Sequence, residues 1–281
     1  MRDVLDDGGD VRERVNGSAS SAPVTLAAFG GVYSNRYALD AVLDDLAARG
    51  ADHVWCLGDL GGFGPTPDAA IERLRAEGVP TLRGNMDDSV GHDSGDCDCG
   101  YGDPRDLLFS QRSFDYTAAH TSRSHKAWMR DLRERARLSL GGRRVLLCHG
   151  SPRRVNEFLW ESTCGDAFLE HLCREHDADV LLCTHTGLPW HRALPSGRHV
   201  VNAGVIGRPP NDGLGGAVYA SVTFHEAVTV RLHRVAYDHE ALARDMERER
   251  LPSEFVETIR TGWWTTCLEN LPARERSRGR H

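Results

Sequence analysis

The sequence predicts an α/β fold in which helices cover a parallel sheet. Short apolar segments alternate with segments of helical periodicity, which is typical of strand–helix–strand units. The first apolar segment, VTLAAF at residues 24–29, predicts a strand, and GGVYSN follows as a turn. Residues 36–49 predict a helix that Gly50 ends, because apolar side chains recur at helical spacing in Leu39, Val42, Leu43 and Leu46.

The alternation continues along the chain. HVWCLGD predicts the next strand, PDAAIERLRAEG a helix and VPTLRGN a third strand. Residues 105–138 are interpreted as helical, RRVLLCHG and DVLLCTH as strands, and CGDAFLEHLCREH as a helix between them. From Arg198 onward the segments RHVVNAG, AVYASVTF and AVTVRLHRV predict strands, and residues 238–260 return to helix.

These patterns divide the chain into three parts. Residues 1–22 are charged and predict a flexible lead-in. The main domain is expected over residues 23–236, with an insertion loop at 89–104, where SVGHDSGDCDCGYGDP shows no periodicity. Residues 237–281 predict a helical extension with a disordered, basic end, in which Trp263 and Trp264 are expected to pack on the core or at a dimer contact. The sequence therefore leaves open whether the protein forms a homo-oligomer.

Composition narrows the classes of function. Hydrophobic residues make up 40% of the 281 residues, enough for a sizeable core, and the formal net charge of −7 argues against nucleic-acid binding. No run of about 18 apolar residues predicts a membrane span. Residues 1–22 lack the apolar stretch of a signal peptide, so a cytoplasmic location is expected. In that reducing compartment the eight cysteines are expected to be thiols or ligands, not disulfides.

Polar side chains stand at the carboxyl ends of four predicted strands. They are Asp59, Asn85, His149 and His185. Ligand sites of open α/β sheets collect at that edge, and two imidazoles, a carboxylate and an amide oxygen suit zinc, manganese or iron. A single histidine after a strand is more often a hydrogen-bonded core residue. Four such residues at equivalent strand ends favour one metal site.

The order of the motifs resembles that of the calcineurin-like metallophosphoesterases, in their bacterial phosphodiesterase-like branch. The resemblance runs from about Val24 to Val235 and rests on GDLGGFGPTPD, RGNMDD, CHGSP, THTGLP and VNAGVIGRPPNDG. It implies a β-sandwich flanked by helices, in four αββα layers, and a two-metal site for phosphoester hydrolysis.

The departures from the family pattern are grouped. The family's Asp-x-His pair is replaced by Gly31 and Tyr33, and the second histidine of its Gly-His-Thr-His motif by Gly187. The resemblance assigns these positions to one metal, whereas Asp59, Asn85, His149 and His185 match the ligands of the other. One divalent transition metal is therefore expected, and a second is not. Met86 replaces the family's catalytic histidine, so proton donation to a leaving group is expected to be weak.

The resemblance implies a hydrolase for a small phosphorylated metabolite or a nucleotide. Asp59, His149 and Asn35 are expected to be catalytic, and Asn35, Arg153 and Arg208 to hold phosphate. Two alternatives stay open. One is a non-catalytic protein that binds metal and phosphate, and the other is a metalloenzyme of another reaction class that uses Tyr33 or the Cys97-x-Cys99 loop.

Overall fold

The computed structural model describes residues 12–13 and 22–279. Most of the predicted N-terminal lead-in, residues 1–11 and 14–21, therefore lies outside the described residues. The described strands are β1 Arg12–Glu13, β2 Val24–Phe29, β3 His53–Cys56, β4 Arg135–Leu140, β5 Arg143–Cys148, β6 Val180–Cys183, β7 Trp190–Ala193, β8 His199–Asn202, β9 Ala217–Phe224 and β10 Val228–Val235. The described helices are α1 Arg36–Arg49, α2 Pro67–Ala76, α3 Asn85–Gly91, α4 Pro104–His120, α5 Arg123–Arg130, α6 Asp166–Glu175, α7 His239–Arg248, α8 Ser253–Thr261 and α9 Ala273–Arg278.

The strands form two mixed sheets. One has six strands in the order β1-β4-β5-β6-β8-β7, and the other has four in the order β10-β9-β2-β3. The pairs β2–β3, β5–β6 and β6–β8 are parallel, as predicted. The hairpins β4–β5, β7–β8 and β9–β10 are antiparallel, so the expectation of one parallel sheet is corrected.

Alternation along the strands builds the layers. In β2, Leu26 and Ala28 point into the core between the two sheets, together with Leu147 of β5. Their neighbour Phe29 points the other way, onto the helix residue Leu39 of α1. On the outer face of the six-stranded sheet, side chains of β5 and β6 pack on α6. The predicted αββα arrangement is confirmed.

Several predicted segments differ from the structure, and the insertion loop predicted at 89–104 begins inside helix α3, Asn85–Gly91. Residues 135–138 are not helical, because β4 alternates buried and exposed side chains over RARLSL and pairs with β5. VPTLRGN forms two isolated bridges, Cys56 with Thr81 and Leu82 with Arg133, and no continuous strand.

The C-terminal segment packs on the main domain. Helices α7 and α8 cover Phe109 of α4 with Leu242 and Phe255. Residues 273–278 form α9, although disorder was expected, and buried Glu275 accepts a 2.8 Å hydrogen bond from the Ser162 N–H. Among the described residues, no helix is long and apolar enough to span a membrane.

Candidate metal centre

Three of the four predicted ligands meet where the two sheets come together. Asp59 follows β3 of the smaller sheet, whereas His149 and His185 follow β5 and β6 of the larger one. Each offers one ligand atom, and the three atoms lie within 4.8 Å of one another, all buried. The fourth residue, Asn85, begins helix α3 and lines the same pocket.

Close approach of two loops makes this meeting possible. A Cβ placed on Gly84 would lie 2.2 Å from Asp59 Oδ1 and 2.9 Å from His149 Cε1. Any side chain at residue 84 would therefore push these two groups apart. The glycine of RGNMDD is required by contact between the loops.

Hydrogen bonds fix how His149 faces its neighbours. Its Nδ1 lies 2.7 Å from the Leu57 carbonyl oxygen, which only accepts, so Nδ1 carries the proton and donates. Nε2 of the neutral ring then has a lone pair, and it lies 3.2 Å from Asp59 Oδ2 and 3.2 Å from His185 Nδ1. In the absence of a metal, a proton on His149 Nε2 or on His185 Nδ1 bridges these atoms, whereas with both nitrogens deprotonated the three atoms present lone pairs to one cation.

Two buried polar atoms beside these ligands lack hydrogen-bond partners, which bears on whether a metal fits the site. Asn85 Oδ1 and His185 Nε2 are buried and have no hydrogen-bond partner among the described residues. The Asn85 Nδ2 donates to the Cys97 carbonyl oxygen at 2.9 Å, which fixes the orientation of the amide. A buried acceptor without a donor is costly, so the free amide oxygen, the carboxylate and the imidazoles together fit a divalent transition metal.

The electrostatics favour the ligand forms of Asp59 and His185. Burial alone would raise the pKa of Asp59, but the neighbouring His149 outweighs it, and the pKa lies below its ordinary value. Burial and the nearby His149 lower the pKa of His185 to about 3. At neutral pH the site therefore holds a carboxylate and a neutral His185 imidazole. Burial would lower the pKa of His149, but the Asp59 carboxylate outweighs it and raises this pKa, so His149 must give up a proton when a metal binds.

Asp87 supports the site, and the sequence patterns did not single it out. Its carboxylate accepts hydrogen bonds from the N–H groups of Asp59 (2.8 Å), Leu60 (2.9 Å) and Gly84 (2.8 Å). Burial and the charge of Asp59 raise its pKa to about 6. Its spacing from Gly84, as the acidic residue of a capping box, was the signal that could have found it.

The pocket beside the ligands is mostly aromatic and apolar. Its free volume is only about 20 Å³, and the side chains around it include Tyr33, Phe63, Met86, Cys99 and Tyr101. Burial raises the pKa of Tyr33 above its ordinary value, so its phenol keeps the proton at neutral pH. Met86 places a thioether where the resemblance expects an imidazole.

The cysteine loop differs from the expectation of free thiols. Cys97 and Cys99 form a disulfide, because the loop turns so that their Cα atoms lie 5.2 Å apart, within the range that such bonds require. The prediction of thiols or ligands is wrong for this pair. The other six cysteines are free and buried.

Two of the residues predicted to bind phosphate, Asn35 and Arg153, make other contacts in the structure. Asn35 is fully buried at the start of α1, where its Oδ1 accepts from the Ala38 N–H at 3.0 Å and its Nδ2 donates to the Gly207 carbonyl at 3.1 Å. Its amide thus has no free polar atom facing the pocket. Arg153 is half-exposed and pairs with Glu157.

Arg208 and Trp264 lie close to the ligands. Arg208 is buried beside Tyr33. Trp264 packs on the core, as expected, but it does so against Gly187, two residues after His185. The sequence placed this tryptophan outside the site, because nothing in the local pattern shows where the C-terminal segment returns.

Similarity to known proteins identifies the superfamily of this chain. The family model of the calcineurin-like phosphoesterase superfamily domain matches residues 26–226. The chain belongs to this superfamily. Its members are metal-dependent, and among the described residues Asp59, His149 and His185 form a group able to hold an ion.

Individual relatives agree with this assignment. The chain is 24% identical over 254 residues to the uncharacterized protein MJ0912 of Methanocaldococcus jannaschii, a match that covers 84% of this chain and 98% of that protein. The crystal structure of a hypothetical protein, PH1004, from Pyrococcus horikoshii OT3 superposes with a TM-score of 0.73 at 23% identity, covering 86% of this chain and all (100%) of that one. A metallophosphoesterase from Sphaerobacter thermophilus gives a TM-score of 0.64 at 23% identity, with coverage of 86% and 100%. At these identities, the two structures support the fold.

Proposed function

We propose that this protein is a phosphoester hydrolase that works with one divalent transition metal, manganese, iron or zinc. Its ligands would be Asp59, Asn85, His149 and His185, and its substrate a small phosphorylated metabolite or a nucleotide. The observation that carries the proposal is the buried group of Asp59, His149 and His185, whose ligand atoms lie within 4.8 Å of one another, beside the unpartnered Asn85 Oδ1.

Each side chain of the site has a separate task in this proposal. When bound, a divalent metal supplies Lewis acidity toward a phosphoryl oxygen and toward water. Asp59 supplies the negative charge, and the Met86 N–H donates to its Oδ1 at 3.1 Å and fixes its orientation. The Leu57 carbonyl keeps the His149 lone pair directed at the site. The pocket, with Phe63 and Met86 in its wall, excludes most water from the reacting group.

Proton delivery to the leaving group is the weak part of this machinery. Met86 carries no transferable proton, and the phenol of Tyr33 holds its proton tightly. We therefore infer that esters with acidic leaving groups, such as aryl phosphates, are the better substrates, because they leave without protonation.

The test uses protein purified without chelator and loaded in turn with manganese, iron(II) or zinc. Metal content and turnover of an aryl phosphodiester are measured in the same samples. The proposal expects metal-dependent turnover that chelation abolishes. Metal binding without turnover of any phosphoester would contradict it and favour the non-catalytic alternative, which the buried Met86 supports.

A further inference from the structure

Arg208 is a buried cation without an anionic partner in the described part of the chain. Arg208 is only 4% exposed, and its Nε has no hydrogen-bond partner. The guanidinium forms no ion pair with a described carboxylate. Its polar neighbours are the Cys267 thiol and the phenols of Tyr33 and Tyr101. An isolated buried charge is costly, so this guanidinium calls for an anion that the described side chains do not supply.

Aromatic rings hold the guanidinium in place. Its Cζ lies 3.5 Å from the ring centroid of Trp264, 4.8 Å from that of Phe63 and 5.9 Å from that of Tyr33. Trp264 is itself fixed, because its backbone N–H donates to Asn211 Oδ1 at 2.8 Å and its Nε1 donates to the Pro209 carbonyl at 2.6 Å. Stacking on rings stabilises a cation without neutralising it.

The guanidinium borders the metal centre. Tyr33 and Phe63, which flank it, also line the pocket with Asp59 and His185, whereas Arg208 itself lines the adjoining pocket with Phe63 and Phe255. A Cβ placed on Gly187 would lie 3.2 Å from Arg208 Nη2 and 2.8 Å from the Trp264 ring. Arg208 and Trp264 therefore fill the space beside residue 187, and Tyr33 fills the adjoining side, at the positions that the family resemblance assigns to ligands of the first metal.

We propose that the Arg208 guanidinium is the second cation of this site and binds the phosphoryl group from the side of Tyr33, so that the centre combines one metal with one fixed arginine. A guanidinium presents a planar fork that matches phosphate oxygens. The C-terminal segment belongs to the site in this arrangement, because it supplies Trp264. The phosphoryl ligand rests on the proposed function, whereas the placement of the charge does not.

The experiment measures binding of inorganic phosphate to the metal-loaded protein by calorimetry, in wild type, Arg208→Met and Arg75→Met. Arg75 is the matched control, because it is exposed and lies over the Trp128 ring at 5.6 Å, outside the pocket. Arg208→Met is expected to weaken phosphate binding about 10- to 100-fold, the usual effect of losing a hydrogen bond to a charged group. Arg75→Met is expected to bind as wild type does, and all three should hold the same amount of metal.

A second variant guards against misfolding. Arg208→Lys keeps the charge without the planar fork, and it is expected to weaken phosphate binding about tenfold. Unchanged phosphate affinity in Arg208→Met, or in Arg208→Lys where Arg208→Met does not fold, would overturn the proposal. Arg208-dependent phosphate binding without turnover of any ester would uphold this inference while refuting the hydrolase. Ester turnover with unchanged phosphate affinity in the variants would refute this inference alone.

Discussion

The two sides of the pocket are built on different physical principles. On the metal side, four residues present polar atoms, and backbone groups hold those of Asp59 and His149 in position. Two atoms, Asn85 Oδ1 and His185 Nε2, have no hydrogen-bond partner among the described residues. On the opposite side, Tyr33, Phe63, Trp264 and Arg208 form a packed aromatic and cationic wall.

The difference is the structural basis of the proposal that this site holds one metal. Loss of ligands on one side alone would leave unfilled space, yet Gly31 and Gly187 both border occupied space. A Cβ on Gly31 would lie 2.3 Å from Val205 Cγ1. One side keeps the geometry of a ligand set, and the other is packed with aromatic rings and a guanidinium, where burial keeps the proton on the Tyr33 phenol.

Removal of a ligand on the metal side should have the largest effect. His149→Ala is expected to reduce metal affinity by more than about 100-fold, since even outer-shell partners of metals are worth about 10- to 100-fold. The melting temperature should fall as well, because metal binding adds to folding stability. Metal analysis and thermal unfolding measure both effects.

His125→Ala is the matched control. His125 is also a buried histidine beside a carboxylate, with its Nδ1 2.6 Å from Asp68 Oδ1, but it lies on α5. His125→Ala should lower the melting temperature and leave the metal content unchanged. Equal metal content in wild type and His149→Ala would show that the two sides do not differ as described.

Attempts to rebuild a ligand on the packed side should fail by steric conflict. Gly187→His is expected to destabilise the protein by about 2–4 kcal/mol, from overpacking and from a side chain in left-handed backbone. The added Cβ would meet the Trp264 ring at 2.8 Å, and φ of Gly187 is +77°.

Gly215→Ala is the control, since nothing lies within 4 Å of its added Cβ. Its effect on the free energy of unfolding should stay within about 0.5 kcal/mol. Urea unfolding compares the two variants, and metal analysis accompanies it. A second metal gained by Gly187→His would contradict the description of a closed side.

The rates on aryl and alkyl esters test whether the pocket lacks a proton donor for the leaving group. With Met86 in place of a general acid, kcat/KM is expected to be far higher for aryl than for alkyl phosphodiesters, because general acids contribute about 10²–10⁴-fold to rates. Met86→His should accelerate alkyl esters selectively. Equal wild-type rates on the two ester types would mean that another group, such as Tyr33, already donates the proton.

The smallest expected effect concerns the ion pair between Arg144 and Asp179, which lies outside the pocket. It tests how stability depends on acid pH. Hydrogen bonds from Arg144, at 2.7 Å and 3.0 Å, hold the pKa of Asp179 at about 2. The ordinary value is about 3.9, so this stabilisation is fully present above about pH 4 and is lost as the pH falls through about 2. Asp179→Asn should lower the free energy of unfolding at pH 7 by about 1 kcal/mol or less.

Urea unfolding of wild type and Asp179→Asn at pH 7 and near pH 2 measures this dependence. The gap between the two proteins should shrink at the lower pH. The same gap at both pH values would show that the ion pair with Arg144 does not set the stability of this region.

The metal side could be predicted from sequence, and the packed side could not. Asp59, His149 and His185 each follow a short apolar strand, and ligand sites collect at the carboxyl ends of such strands, so local patterns single them out although they lie on two different sheets. Trp264 and Arg208 meet only through the return of the C-terminal segment, which no local spacing encodes. β4 was missed because its alternating segment, RARLSL, follows helix α5 after only the four residues 131–134.

The number of metal ions per chain tests the central claim most directly. Protein purified without chelator, loaded with manganese, iron or zinc and crystallised, gives this number by elemental analysis and anomalous scattering together. The account predicts one ion per chain, held by Asp59, Asn85, His149 and His185, with the Arg208 side free of metal. Two fully occupied ions bridged by the Asp59 carboxylate would contradict it.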